Sequence, residues 1–214
     1  MDVKKGAIIF DFGGVLIDWD PRYLYRKFFD GDSAGMEAFL AEIGFTEWNR
    51  RQDAGRSFAE GVAELSSRYP QYAELIKAYD ERWQESVAGP IRPVVDILVS
   101  IKAAGYPLGG LSNWSAEKFK LVRNQYEFFE WFDQIVISGE VCLAKPDPEI
   151  FSVLLERLGC TAPQCLFIDD SSVNIQVARG MGFNTIRYRS PEQLKQELRK
   201  KGIAFDRDSS VERN

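Results

Sequence analysis

Histidine is absent from the 214 residues of this chain. That excludes Ser-His and Cys-His catalytic schemes and every histidine-ligated metal site. Any chemistry must therefore run on Asp, Glu, Lys, Ser, Thr, Tyr or the backbone. Cysteine is scarce: Cys142, Cys160 and Cys165 are odd in number, late and without a CxxC pair. They suggest buried thiols packing as small hydrophobes, not a disulfide framework or a zinc site. No apolar run approaches the roughly 20 residues of a membrane helix, and Met1-Asp2-Val3-Lys4-Lys5 shows no secretory signal; the expectation is a cytoplasmic protein with no membrane partner. Positive charge is in deficit, with 27 Lys and Arg against 32 Asp and Glu, a formal net charge of −5. Nucleic acid needs a basic face and is not an expected partner; a local basic pocket for a phosphate is still allowed.

Short apolar runs are present at residues 6–12, 106–112, 134–138, 165–169 and 184–188, and they read as buried strands. Between them lie helical patterns. Residues 93–104 carry Val94, Val95, Leu98, Val99 and Ile101, and residues 148–158 carry Ile150, Phe151, Leu154, Leu155 and Leu158; Gly105 and Gly159 end them. Ser190-Pro191-Glu192-Gln193 has the form of a capping box. Strand and helix in alternation predict an α/β fold, a parallel sheet with helices on both faces. Residues 20–89 break the alternation, with helix starts at Asp20-Pro21 and at Ser57 with Glu60 and no recognisable strand. They read as an inserted all-helical cap subdomain. Residues 206–214 read as a polar tail.

In an open parallel sheet, ligands bind at the carboxyl ends of the strands. Asp11 ends the first run, Ser112-Asn113 the second and Asp169-Asp170-Ser171 the fourth, while Lys145-Pro146-Asp147-Pro148 follows the third. A carboxylate can attack phosphorus and form an aspartyl-phosphate. The dianionic phosphoryl group repels such a nucleophile unless a divalent cation or a lysine neutralises it. Oxygen ligands suit Mg2+, and Asp11 and Asp170 can supply two, with Asp169 close by. Ser112 and Asn113 can donate to phosphoryl oxygens, and Gly13 and Gly14 let the backbone turn and offer amides and a carbonyl. Some of these residues have plainer readings as helix caps: Asp147 before Pro148, Ser112-Asn113 near Ser115, and Asp169-Asp170 near Val173.

Phe10-Asp11-Phe12-Gly13-Gly14-Val15-Leu16, Leu111-Ser112-Asn113, Lys145-Pro146-Asp147-Pro148 and Asp169-Asp170-Ser171, in that order, resemble the four motifs of the haloacid dehalogenase superfamily. The resemblance runs over about residues 6 to 200, and the insertion resembles the cap of its subfamily I. It implies a Rossmann-like catalytic core over residues 1–19 and 90–205, a helical cap over 20–89, and an Mg2+-dependent hydrolase of a small phosphorylated metabolite. Asp11 would be nucleophile and metal ligand, the Gly13 carbonyl and Asp170 further ligands, and Asp169 a ligand directly or through water. Ser112 would bind the transferring phosphoryl group with Asn113 supporting it and Gly14 beside it, and Lys145 would orient Asp11 and neutralise charge.

One position departs from the family. Its phosphatases carry a second Asp two positions after the nucleophile, which protonates the leaving oxygen and later activates water; here Gly13 stands there. Such acid–base catalysis is worth roughly 100- to 10,000-fold. Either the leaving group needs little protonation, such as the anomeric oxygen of a sugar 1-phosphate, or another carboxylate such as Asp18 takes over. The pattern resembles bacterial sugar-1-phosphate phosphatases with glycine at this position. Trp19, Tyr23, Tyr25, Phe28, Phe29 and Trp48 read as cap core more readily than as a substrate pocket. The alternatives are a 2-haloacid dehalogenase, whose anionic substrate sits poorly beside Asp169 and Asp170, and a phosphomutase, which needs the acid–base group that Gly13 lacks. A phospho-accepting receiver domain, with its acid pair early in the chain, and a non-catalytic metal or phosphate binder complete the set.

Overall fold

Ile8, Ile9 and Phe10 are β-branched or aromatic and fully buried, the composition of a strand covered on both faces. They form β1 of a computed structural model that describes residues 6–203 and residue 205; the polar tail expected at 206–214 lies outside the described residues. The chain continues through β2 (Ile17–Trp19), α1 (Pro21–Tyr25), α2 (Ser33–Glu42), α3 (Phe45–Asp53), α4 (Phe58–Arg68), α5 (Ala73–Glu81) and β3 (Val87–Pro90). Then come α6 (Arg92–Ala103), β4 (Leu108–Ser112), α7 (Ala116–Arg123), β5 (Gln134–Ile137), α8 (Ser138–Val141) and α9 (Pro148–Leu158). The last elements are β6 (Leu166–Asp169), α10 (Ser172–Gly180), β7 (Asn184–Arg187) and α11 (Pro191–Lys200). None of the helices among the described residues is long and apolar enough to cross a membrane.

Five strands make one parallel sheet in the order β5-β4-β1-β6-β7. The chain works outward from β1 through β4 to β5, then crosses to β6 on the other side of β1. That reversal leaves a crevice at the carboxyl ends of β1, β4 and β6. Alternate residues of β1 face opposite ways: Ile8 and Phe10 join one apolar cluster and Ile9 another. The first cluster receives Val94, Leu98 and Ile101 of α6 and Leu194 and Leu198 of α11. The second receives Phe151 and Leu154 of α9 and Ile175 and Ala178 of α10. Helices therefore cover both faces, as the alternation of runs predicts.

The helix starts fall where the sequence puts them. Asp20 caps α1, Ser57 and Glu60 make a reciprocal box at α4, and Asp147 accepts the Glu149 amide at the start of α9. At α11, Ser190 accepts the Gln193 amide, while the Gln193 side chain accepts from Arg189. Residues 20–89 do hold a strand, contrary to expectation: β3 pairs antiparallel with β2 to bracket α1–α5. Three and four residues are too few to show a period of two, and Val87-Ala88-Gly89-Pro90 has no run of strand formers; its pairing with β2 makes it a strand. Between those strands, Tyr25 packs on Phe39 and Tyr79, and Trp48 on Phe58. Tyr25 and Trp48 are core as expected, and Phe29 packs beside Phe39. Phe28 is partly exposed under the Arg82 guanidinium, and Tyr23 donates its hydroxyl to Asp18. This apolar cluster is continuous with the α6–α11 face of the sheet.

Phe12 secures the turn after β1 by packing edge-on against Phe129 and Phe132 with ring centroids 5.0 and 5.3 Å away. Its ring fills the space over Gly110, where an added Cβ would lie 2.4 Å from Phe12 Cζ. Gly110→Ala is therefore expected to destabilise the fold by about 1–3 kcal/mol through overpacking, read from the urea midpoint. An unchanged midpoint would mean that Phe12 does not occupy this site.

Candidate active site

Asp11 is the first residue beyond β1, and its neighbours fix both carboxylate oxygens. Oδ1 accepts the Phe12 amide at 2.7 Å and the Ser112 hydroxyl at 2.8 Å; Oδ2 lies 2.9 Å from Lys145 Nζ. Ser112 arrives because β4 pairs with β1 in register, Phe10 against Gly110, and runs on past the end of β1 to Ser112 beside the Asp11 turn. Burial pushes the Asp11 carboxyl up to about 7, with the Lys145 charge opposing and that of Asp169 adding to the rise.

Lys145 is almost fully buried, and its ammonium donates to Asp169 Oδ2 at 2.7 Å and to the Leu111 carbonyl at 2.8 Å. Burial works to lower its pKa, but the charges of Asp11 and Asp169 outweigh it and the net direction is up, so the side chain stays cationic. Its backbone is fixed by Asn113, whose Nδ2 donates to the Lys145 carbonyl and whose Oδ1 accepts the Lys145 amide, both at 2.8 Å. Both ends of the Asn113 amide are thus engaged in placing the lysine.

Asp169 is fully buried and saturated with donors. Besides Lys145, it accepts the Ser171 amide at 2.8 Å and Asn174 Nδ2 at 3.1 and 3.0 Å. Asn174 is a site residue that sequence reasoning misses. The one available signal is its place at the third position of a helix starting beside the acid pair, since Ser171, not Asp169 or Asp170, caps α10. Asp170 keeps its carboxylate toward the crevice; burial and then the Asp169 charge raise its pKa. Gly14 sits at φ 73°, and a Cβ there would lie 2.8 Å from Asp170 Oδ2. Its amide donates to the Ile17 carbonyl. The Gly14 amide is therefore engaged in the turn instead of facing an anion, and what this glycine contributes is clearance for Asp170.

Oxygen atoms of Asp11, Asp169 and Asp170 lie within 4.8 Å of one another. Three carboxylates with one lysine among them leave negative charge in excess. Burial resists that charge at Asp11 and Asp170, the two with oxygens not saturated by donors. An all-oxygen set of this kind, drawn from Asp11, Asp169 and Asp170, could hold a hard divalent cation.

Next to this cluster, Gly13, Asn113 and Trp114 from the sheet side and Trp19, Asn49 and Asp53 from the α1–α5 side line a cavity of about 50 Å³. Trp19, Asn49 and Asp53 also line an outer cleft of about 510 Å³. Of the aromatics named from sequence, Trp19 is the one lining these spaces. Asp18 does not line either one; its carboxylate is held by the Tyr23 hydroxyl at 2.9 Å.

The family model for haloacid dehalogenase-like hydrolases matches residues 8–188. N-acetylmuramic acid 6-phosphate phosphatase of Pseudomonas aeruginosa is 26% identical over 197 residues, covering 87% of this chain and 83% of the relative. Acyl-CoA dehydrogenase family member 10 of Mus musculus is 28% identical over 211 residues, covering 90% of this chain but 18% of the relative. The chain spans 18% to 38% of the length of four such curated relatives. The HAD family enzyme bt-2542 of Bacteroides thetaiotaomicron, solved as a magnesium complex, superposes with a TM-score of 0.67 at 26% identity, covering 92% of this chain and 98% of that one. The match across all five sheet strands and all four motif segments leaves one assignment: the chain belongs to the haloacid dehalogenase-like hydrolase family.

Proposed function

We propose that the chain is an Mg2+-dependent phosphomonoester hydrolase acting on a small phosphorylated metabolite, with a sugar phosphate favoured, through an aspartyl-phosphate on Asp11. The observation that carries the reading is a carboxylate at a strand end, gripped by Lys145 and Ser112, with Asp169 and Asp170 grouped behind it. The Pseudomonas relative is by name an N-acetylmuramic acid 6-phosphate phosphatase and the Bacteroides structure holds magnesium, which supports the same chemistry here.

Asp11, Asp170 and the Gly13 carbonyl would hold the cation, which when bound would neutralise phosphoryl charge. Ser112 is the donor we assign to the phosphoryl oxygens once substrate displaces its bond to Asp11. Lys145 balances the charge of the attacking carboxylate and, through Asp169, keeps its own position. The Asp11 carboxylate attacks phosphorus, the leaving oxygen departs, and water then releases inorganic phosphate and restores Asp11. A haloacid dehalogenase would have to place a substrate carboxylate and a departing halide beside Asp169 and Asp170, which disfavours that reading.

Phosphate release from a panel of sugar phosphates and p-nitrophenyl phosphate should require Mg2+, stop with EDTA and be abolished by Asp11→Asn. Lys145→Ala should lower kcat by about 100- to 1000-fold, as removal of a charge-stabilising donor does. Metal-independent release, or full activity in Asp11→Asn, would contradict the proposal.

Stability should carry the same signature. The folded carboxyls of Asp11 and Asp170 are raised, so the folded chain keeps protons that the unfolded chain has released above about pH 4. Metal-free stability should therefore fall as pH rises from about 4 to about 7. Mg2+ competes with those protons, so its gain in thermal midpoint should be larger at about pH 7.5 than at about pH 5 and should vanish in Asp170→Asn. Equal midpoints with Mg2+ and with EDTA at the higher pH would contradict the metal assignment.

A further inference from the structure

Gly13 leaves the reaction without a group to protonate the leaving oxygen, yet nothing in the backbone demands a glycine there. Gly13 is not among the residues with positive φ, and a Cβ built on it meets nothing within 4 Å. Gly13 lines a cavity of about 50 Å³, room for a few waters or a small substrate group. Asp53, the last residue of α3, stands on the other wall of that cavity.

Asp53 is held more firmly than a surface carboxylate would be. Asn49, one helical turn earlier, donates Nδ2 to Asp53 Oδ2 at 2.9 Å, while Asn49 Oδ1 accepts the Tyr79 hydroxyl at 3.1 Å. The amide oxygen of Asn49 accepts the Tyr79 hydroxyl and its NH2 end donates to the Asp53 carboxylate. The Asp53 carbonyl accepts the hydroxyl of Ser138, whose oxygen also accepts the Trp114 amide. The Ser115 amide reaches the Asp53 carboxylate. A residue of the α1–α5 segment is thus fixed to the ends of β4 and β5, the rim of the sheet that carries Ser112. Trp114, which lines the same cavity, is buried and its indole N–H has no partner. An unsatisfied buried donor is costly, and Trp19, on the same cavity, also has a buried indole N–H without a partner.

We propose that Asp53 is the general acid and base of the reaction, acting across this cavity in place of a side chain at position 13. The proposal rests on the phosphatase reading of Asp11. In the first step Asp11 forms its bond to phosphorus, the bond from phosphorus to the leaving oxygen breaks, and that oxygen takes the proton of the Asp53 carboxyl. In the second, a water oxygen bonds to phosphorus and passes a proton to the Asp53 carboxylate, the bond from phosphorus to Asp11 breaks, and phosphate leaves. Burial raises the Asp53 carboxyl to about 7, against the Ser115 amide, which lowers it; both protonation states are therefore accessible near neutrality.

The test is single-turnover release of phenol, with Mg2+ present and enzyme in excess, from aryl phosphates of rising leaving-group basicity, p-nitrophenyl to p-methoxyphenyl. It is run on wild type, Asp53→Asn, Asp53→Ser and the double variant Gly13→Asp/Asp53→Asn, each with its thermal midpoint. Wild type should show a shallow dependence on the leaving group. Both Asp53 variants should show a steep one, near wild type for p-nitrophenyl and about 100-fold or more slower for p-methoxyphenyl. They should also accumulate phosphoenzyme at steady state, because the water-activating base is lost. The double variant should recover at least ten-fold of the lost p-methoxyphenyl rate. Folded Asp53 variants with the wild-type leaving-group dependence, or slowed equally on every substrate, would overturn the role of Asp53 and leave the phosphatase reading intact. Failure of wild type to release phenol in an Asp11-dependent way would overturn the phosphatase reading itself.

Discussion

The site depends on one buried ammonium. Lys145 stands between Asp11 and Asp169, 2.9 and 2.7 Å from their oxygens, with about 1% of its side chain exposed. Removing one partner from such a buried, hydrogen-bonded set leaves an uncompensated charge, which is strongly destabilising. The surrounding architecture keeps the set complete. Asn113 clamps the lysine backbone at both its amide and its carbonyl, Asn174 and the Ser171 amide hold Asp169, and the Phe12 amide and Ser112 hold Asp11. Even so, the carboxylates outnumber the lysine, and that imbalance is what makes a divalent cation the natural complement of the cluster.

The sheet brings these residues together by topology alone. β1 is central, β4 and β6 flank it in register, and the three strands end together. Aromatic packing fills the space at these ends: Phe12, the residue after Asp11, lies between Gly110 and the rings of Phe129 and Phe132. The α1–α5 segment is tied to the same ends. Lys118 of α7 pairs with Asp80 and lies over the Phe58 ring, Glu117 accepts the Phe58 amide at 3.1 Å, and Ser138 holds the Asp53 carbonyl. These links fix the helices that share the cavity with Gly13 and Asn113.

Much of this is legible in the sequence, because the site sits where apolar runs end in polar residues. Asp11, Ser112 and Asp169 follow directly from that rule, and Lys145 and Asp170 follow from their order along the chain. The capping pairs at Ser57, Asp147 and Ser190 mark helix starts by local chemistry, which does not depend on the rest of the fold. What escapes is what depends on tertiary contact. β2 and β3 are strands only because they pair, and Asn174, Asn49 and Ser138 are ordinary polar residues until the fold buries them at the crevice. Asp53, in Arg51-Gln52-Asp53-Ala54-Gly55, carries no signal in the sequence, and its half-buried place beside Asn49 is visible only in three dimensions. Asp18 is nearer to Asp11 in sequence, but its carboxylate is hydrogen-bonded to Tyr23 and lines neither the cavity nor the outer cleft.

The proposed mechanism has Asp11 take the phosphoryl group onto itself before water removes it. The stereochemical course at phosphorus tests this without requiring the intermediate to accumulate: hydrolysis of a substrate whose phosphoryl group is made chiral by isotopic labelling, in isotopically labelled water. Two in-line displacements predict net retention of configuration. Net inversion would mean that water attacks the substrate directly and that Asp11 is not the nucleophile.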